Sequence, residues 1–427
     1  MKIALVDVSP DKGFVNKDLA AGFGTNPRIG KSIRGRILEF LRSQEEFPAM
    51  SFAYIAAILT EKGHQVEYLK DQVPDKADVV VMLPAMATYK KELGYLKKAK
   101  EKGAFTIAVG VLVSTKPELF KKDADLVVIG EPEGFFTKMN AKLPNGVVKA
   151  KIADLDSLPF PKWDLFNYKS FSFSPVMSEK PFSFVLSSRG CPYTCYYCPY
   201  RLHQFMARSP KNVVDEIEHL VEKYKIKGFM FRDATFTFDR KRTEEIAKSI
   251  IKRGLKVKWV CETRLDLLDE KLIDLLYAAG LRVLKTGVET VDLELMKRMK
   301  RKPIEIDHQE RIIKYCDKKG IKVVAFYIIG LPNDTKENIL NTIKYAKKLN
   351  TYGAQFTVCT PFPGTEFYEE IKGSIDEDWD KFDSFTPVFK HQNLSKPEIE
   401  KLKEKAFLDY YSNPRYLIKF ITRRMRK

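Results

Sequence analysis

SSRGCPYTCYYCPYR, residues 187–201, gathers Cys191, Cys195 and Cys198 into the pattern C-x-x-x-C-x-x-C. The apolar run FSFVLSS stands immediately before it, so three thiols crowd a loop that follows a strand. Six cysteines in 427 residues do not make the disulfide framework of a small secreted domain. A disulfide between two of the three would also leave the third over. Structural zinc sites close with four protein ligands, usually drawn from two separated pairs. No second pair exists here, although His203, five residues beyond Cys198, keeps a Cys3His zinc site open as an alternative. An iron–sulfur cube fits better, because three thiolates leave one iron with a free position for a small molecule. Cys261, Cys316 and Cys359 are scattered singly and read as buried apolar residues.

Outward from this loop the chain alternates. After FSFVLSS come the apolar runs GFMFRDA, VKWVCET, RVLKTGVE, KVVAFYIIG and AQFTVCTPF. Helical patterns such as VVDEIEHLVEKY and KENILNTIKYAKKL separate them. Six strand–helix units over 182–370 predict a partial (β/α)6 barrel with its chemistry where strands give way to helices. Upstream, KIALVDV, QVEYLKD, ADVVVMLPA, FTIAVGVLV and ADLVVIGE are five strands, with the helical FAYIAAILTEKGH among them. They predict an α/β, doubly wound, flavodoxin-like domain over 1–140, its ligands beyond the carboxyl ends of the strands. The proline-rich, aperiodic segment 141–181 reads as a linker and 371–427 as a helical C-terminal region.

The net charge is +18. Acidic and basic residues are mostly interspersed, which favours a solvated surface over a nucleic-acid interface. The last fifteen residues, NPRYLIKFITRRMRK, are the exception, with six basic residues and none acidic. Tyr416, Leu417, Phe420, Ile421 and Met425 fall near one helical face there, with Lys419, Arg423 and Arg426 away from it. That spacing suits either a helix on an anionic membrane surface or a docked terminal helix. No apolar run is long enough to span a membrane and no signal peptide is legible. The expected location is cytoplasmic, peripheral at the inner membrane face if the tail binds lipid. GTNPRIGKS, 24–32, imitates a phosphate loop but places five residues between its glycines where the motif requires four.

The three-cysteine loop, with Tyr197 before its last cysteine, at the head of a barrel resembles the radical S-adenosylmethionine (SAM) superfamily. The resemblance implies that Cys191, Cys195 and Cys198 bind a 4Fe-4S cluster whose open iron chelates SAM. It implies one-electron cleavage of SAM to a 5′-deoxyadenosyl radical, the electron coming from a donor such as ferredoxin or flavodoxin. Asp233 in FRDATF stands where the family often has GGE, and would accept from the methionine ammonium. Arg264 in CETRLD would pair with the methionine carboxylate and Glu289 in KTGVET with the ribose hydroxyls; internal salt bridges are the plain alternative. Gly330 in YIIGLP and the Pro363–Gly364 pair in PFPGT match turns near the adenine, or simply end strands.

A doubly wound domain before such a barrel resembles the superfamily's cobalamin-binding subclass, and ILTEKGHQVEYLKD and ADLVVIGEPEGFF are similar to its second and fifth strand regions. No D-x-H-x-x-G occurs, and GEPE stands in place of GEGE. Cobalamin is therefore expected without a protein histidine on cobalt, and His64 reads as a helix-end residue. The resemblance implies a cobalamin-dependent methyltransferase acting on an unactivated carbon of a small-molecule or lipid-like substrate. The runner-up is a non-methylating cyclase or oxidoreductase. A tRNA-modifying methylthiotransferase would carry cluster cysteines in its N-terminal domain, and residues 1–190 contain none.

Overall fold

KIALVD and VVVM, rich in β-branched residues and almost wholly buried, become central strands of a parallel sheet covered on both faces. Its strands are Lys2–Asp7 (β1), Gln65–Lys70 (β2), Val79–Met82 (β3), Phe105–Ala108 (β4), Leu126–Gly130 (β5) and Gly146–Ala150 (β6). They lie in the order β2-β1-β3-β4-β5-β6, all parallel. The first five positions are the flavodoxin order. β6 falls inside the segment read as a linker; GVVKA is short and mostly exposed, so it lacks the apolar run that betrays a central strand. The computed structural model describes all residues except 12, 13, 16, 18–23, 26, 27, 43–48, 153, 174, 175, 377, 426 and 427.

A second parallel sheet follows: Phe182–Val185 (β7), Gly228–Phe231 (β8), Lys258–Glu262 (β9), Leu281–Glu289 (β10), Lys322–Ile329 (β11) and Gly353–Val358 (β12). These six pair in chain order, and β7 and β12 are not paired to each other, which makes an open barrel. Side chains with a ready oxygen start its helices. Ser209, Asp239, Asp269, Asp292 and Thr335 each accept from a backbone N–H one turn on. Because all strands run one way, the residues that follow them converge on one end of the barrel.

The helix Met50–Glu61 is buried on nearly every side. It belongs to one continuous apolar core that runs from Ile3 and Phe52 through Trp163 to Phe182 and Trp259, so both domains share it. Arg28 to Ser32, the described end of the false phosphate loop, form a strap. Glu404, on the penultimate helix Lys396–Tyr411, fills the space where a Cβ on Gly30 would stand, and accepts from Ser32 N at 2.9 Å. Arg28 and Lys31 face Asp383 and Glu400, both at 3.7 Å. The glycine leaves room for the Glu404 carboxylate to approach the backbone closely.

The terminal helix Pro414–Met425 has two working faces rather than one. Tyr416 and Phe420 stack together and pack on Tyr410, Tyr411 and Tyr352, while Lys419 reaches Asp317 and the Asn350 carbonyl, each at 2.9 Å. Leu417, Ile418 and Ile421 face outward, exposed. The expected single apolar face is thus divided, because the i, i+4 aromatic pair finds partners on the barrel. The side chains of Arg423 and Met425, and Arg426 entirely, lie outside the described residues. Among those described, no helix is long and apolar enough to cross a membrane.

Candidate active site

The cluster loop leaves β7 through Ser187 and Ser188. Ser188–Arg189 pairs antiparallel with Met206–Ala207, which closes a neck below the three cysteines. Asp233, buried past the end of β8, accepts from Ser187 N at 3.1 Å, Ser187 Oγ at 2.7 Å and Ser188 Oγ. Burial pushes its carboxyl up, against Arg242 and these donors. Its oxygens are therefore engaged by the root of the loop.

All three loop cysteines are free thiols. Burial pushes the Cys191 and Cys198 thiols up, so a compensating positive centre is needed to hold them as thiolates. Arg301 supplies one, with Nη1 3.9 Å from Cys195 Sγ, and Thr235 Oγ1 lies 3.8 Å from Cys191 Sγ. Among the described residues no three His, Cys, Asp or Glu side chains converge on a point as a single ion requires. A cube places no such demand, since each thiolate binds its own corner iron. His203, the fourth ligand of the zinc alternative, lies on the wall towards the first domain, its Nδ1 3.0 Å from Glu131 Oε1. One buried and two half-buried thiols beside a guanidinium therefore fit an iron–sulfur cluster.

The later strand ends bring their residues to the same mouth. Arg264 is buried over the Tyr193 ring, gives Nε and Nη2 to Asp266 at 2.9 and 3.0 Å, and leaves Nη1 buried without a partner. Glu289 closes β10 in the left-handed region at φ 64°, its carboxyl raised by burial and 3.1 Å from Arg301 Nη2. Both internal salt bridges foreseen as alternatives thus exist, while Arg264 keeps one nitrogen to spare. Gly330, at φ 72°, donates to Asp334 at 3.2 Å; Ile399 stands 3.3 Å from where its Cβ would be. Arg301 was not foreseen, because the run KRMKRKP reads as solvated charge. Its nearness to KTGVET in sequence was the available signal.

Between the domains lies a cavity at the carboxyl edge of the first sheet. Leu83, Gly110, Val111 and Glu131 wall it on one side, Leu186, Arg189 and His203 on the other. Arg189, in the neck of the cluster loop, is clamped by Glu133 through both terminal nitrogens at 3.0 Å and by Glu131. Burial opposes the Glu131 charge, but Arg189 and His203 overcome it and hold the carboxyl down to about 2. Lys17 also faces the cavity, fixed by Asp7 at 2.6 Å and Glu92 at 2.7 Å. The sequence had marked GEPE only as a departure; its two glutamates are the grip of one domain on the other.

Residues 185–346 match the radical SAM superfamily model. Over 418 residues the chain is 28% identical to an uncharacterised methyltransferase of Pyrococcus horikoshii, covering 88% of this chain and 90% of that protein. It is 31% identical over 284 residues to the anaerobic magnesium-protoporphyrin IX monomethyl ester cyclase of Rubrivivax gelatinosus, 64% of this chain but only 50% of the cyclase. Its fold is similar to that of the radical SAM methyltransferase TsrM of Kitasatospora setae. The form with tryptophan substrate and a SAM analog gives a TM-score of 0.62 at 16% identity, over 87% of this chain and 76% of that one. The form with cobalamin and a [4Fe-4S] cluster gives 0.59 at 17% identity, over 86% and 77%. The three-thiol loop at the mouth of the open parallel barrel, behind a doubly wound domain, thus lies within residues 185–346, the part of the chain that matches the radical S-adenosylmethionine superfamily.

Proposed function

We propose that the chain is a cobalamin-dependent radical SAM methyltransferase acting on an unactivated carbon of a small-molecule or lipid-like substrate. One observation carries this reading: the neck of the cluster loop, through Arg189 and His203, is itself a wall of the interdomain cavity. A cluster on Cys191, Cys195 and Cys198 would supply the electron that breaks a carbon–sulfur bond of SAM. Cobalamin in the cavity would supply a metal able to carry a methyl group.

The chain's own residues then bind and orient. Arg264 Nη1, buried and unpartnered, suits the methionine carboxylate of SAM. Glu289, steadied by Arg301, serves the ribose hydroxyls. Asp233 acts through Ser187 and Ser188 and sets the root of the loop. Gly330 turns the end of β11 against the penultimate helix. An acidic one-electron carrier such as ferredoxin or flavodoxin is drawn to a chain of net charge +18. The outward Leu417, Ile418 and Ile421, on a helix with no acidic residue, support peripheral contact with an anionic membrane where a lipid-like substrate resides.

Anaerobic reconstitution with iron and sulfide, then incubation with methyl-labelled SAM and cell extract, tests the reading. Label is expected in a small molecule or lipid. Replacing Cys191, Cys195 and Cys198 together by Ala should remove bound iron and all SAM cleavage. Cleavage without label transfer would favour the cyclase or oxidoreductase reading, which the match to the Rubrivivax cyclase supports. Iron that survives the triple replacement would overturn both.

A further inference from the structure

We infer that His203 supplies, through Nε2, a protein ligand to the metal of the corrinoid in the interdomain cavity. This rests on the proposed cobalamin reading and changes one expectation drawn from sequence, that no protein histidine meets cobalt. A histidine was sought in the first domain, where D-x-H-x-x-G would have placed it. The fold brings one from the barrel instead.

The imidazole is prepared for such a bond. The short ladder between Ser188–Arg189 and Met206–Ala207 fixes the chain around it. Its Nδ1 lies 3.0 Å from Glu131 Oε1, and Arg189 Nη1 donates to the other oxygen of the same carboxylate. A carboxylate can only accept, so the proton sits on Nδ1 and the lone pair on Nε2. A carboxylate behind the far nitrogen is how proteins set the tautomer and ring orientation of a metal-bound histidine. Nε2 itself is buried and has no hydrogen-bond partner, although His203 lines the cavity. Buried polar atoms are nearly always satisfied, so an orphan on a cavity wall marks a missing ligand.

The other charged groups of the wall are already committed. Lys17 is held by Asp7 and Glu92, and Arg189 by Glu131 and Glu133. Leu83, Val111 and Leu186 offer no donor atoms. Among the described residues of the cavity, Nε2 of His203 is the buried nitrogen left without a partner.

Electron paramagnetic resonance of the full chain loaded with cob(II)inamide is the test. Cobinamide carries no benzimidazole base, so any axial nitrogen must come from the protein. The cobalt lines are expected to show a triplet splitting from one ¹⁴N. That splitting should become a doublet when the chain is grown with ¹⁵N-histidine, a comparison that needs no variant. His203→Ala and His203→Gln should both lose the splitting, with bound corrinoid confirmed by visible absorbance. Wild-type protein that binds cobinamide without nitrogen splitting would overturn the inference and leave the cobalamin reading standing. So would variants that keep the splitting. Failure to bind both cobinamide and hydroxocobalamin would overturn the two together.

Discussion

Arg301 is the residue on which the barrel mouth turns. It touches Cys195 Sγ, donates to the Gly287 carbonyl at 2.8 Å and pairs with Glu289, all out of water. Removing one partner of a buried pair leaves the other charge uncompensated, which costs far more than the pair contributes. Arg301→Ala should therefore destabilise the chain by about 3–5 kcal/mol, read from urea midpoints. Adding Glu289→Gln should recover much of the loss, because no buried charge is then stranded. A double variant no more stable than Arg301→Ala would show that the pair is not what holds this corner. Much of this corner was legible beforehand, since Arg264 and Glu289 end strands whose runs are plain. Arg301 was not, because basic residues in a row give no sign of which one the fold turns inward. The left-handed backbone of Glu289 was equally silent, glutamate having no preference for it.

Elements carry two further expectations. The turn after β11 holds Asp334, whose carboxyl burial pushes up to about 7, with Asp292 adding to the shift. The folded chain thus keeps a proton that the unfolded chain releases near pH 4. Stability contributed by that proton is present at low pH and is lost as pH rises towards 7. Between pH 5 and 8 wild type should lose about 2–3 kcal/mol through this group, and Asp334→Asn should not. Chemical denaturation of both proteins at the two pH values measures it; parallel losses would contradict it. The terminal helix gives the second. Leu417→Glu with Ile421→Glu should abolish flotation with anionic vesicles while Tyr416 and Phe420 stay docked, and neutral vesicles should recover neither protein. Equal recovery with anionic vesicles would leave the outward face without a lipid role. The sequence could not divide this helix into its two faces, because periodicity records apolar residues and not which partner each one meets. The same limit hid β6, an exposed edge strand whose pairing with β5 depends on neighbours rather than on its own residues.

At the scale of the whole molecule, Arg189, Glu131 and Glu133 tie the doubly wound domain to the root of the cluster loop. Arg189→Ala strands Glu133, which is wholly buried, and should cost about 3–5 kcal/mol. Arg189→Met with Glu133→Leu should restore most of it, and calorimetry with urea titration of the three proteins decides. The two-domain order was readable because each sheet announces itself by repeated β-branched runs. The join was not, since it is made by residues far apart in sequence. The strap of Arg28 to Ser32 carries the same distance further, its anchor at Glu404 lying 372 residues downstream. A ribosome delivers the chain from its N-terminus, so the first domain emerges early with its strap unanchored. It must wait for the penultimate helix, and a segment translated long before its anchor is among the last to be finished.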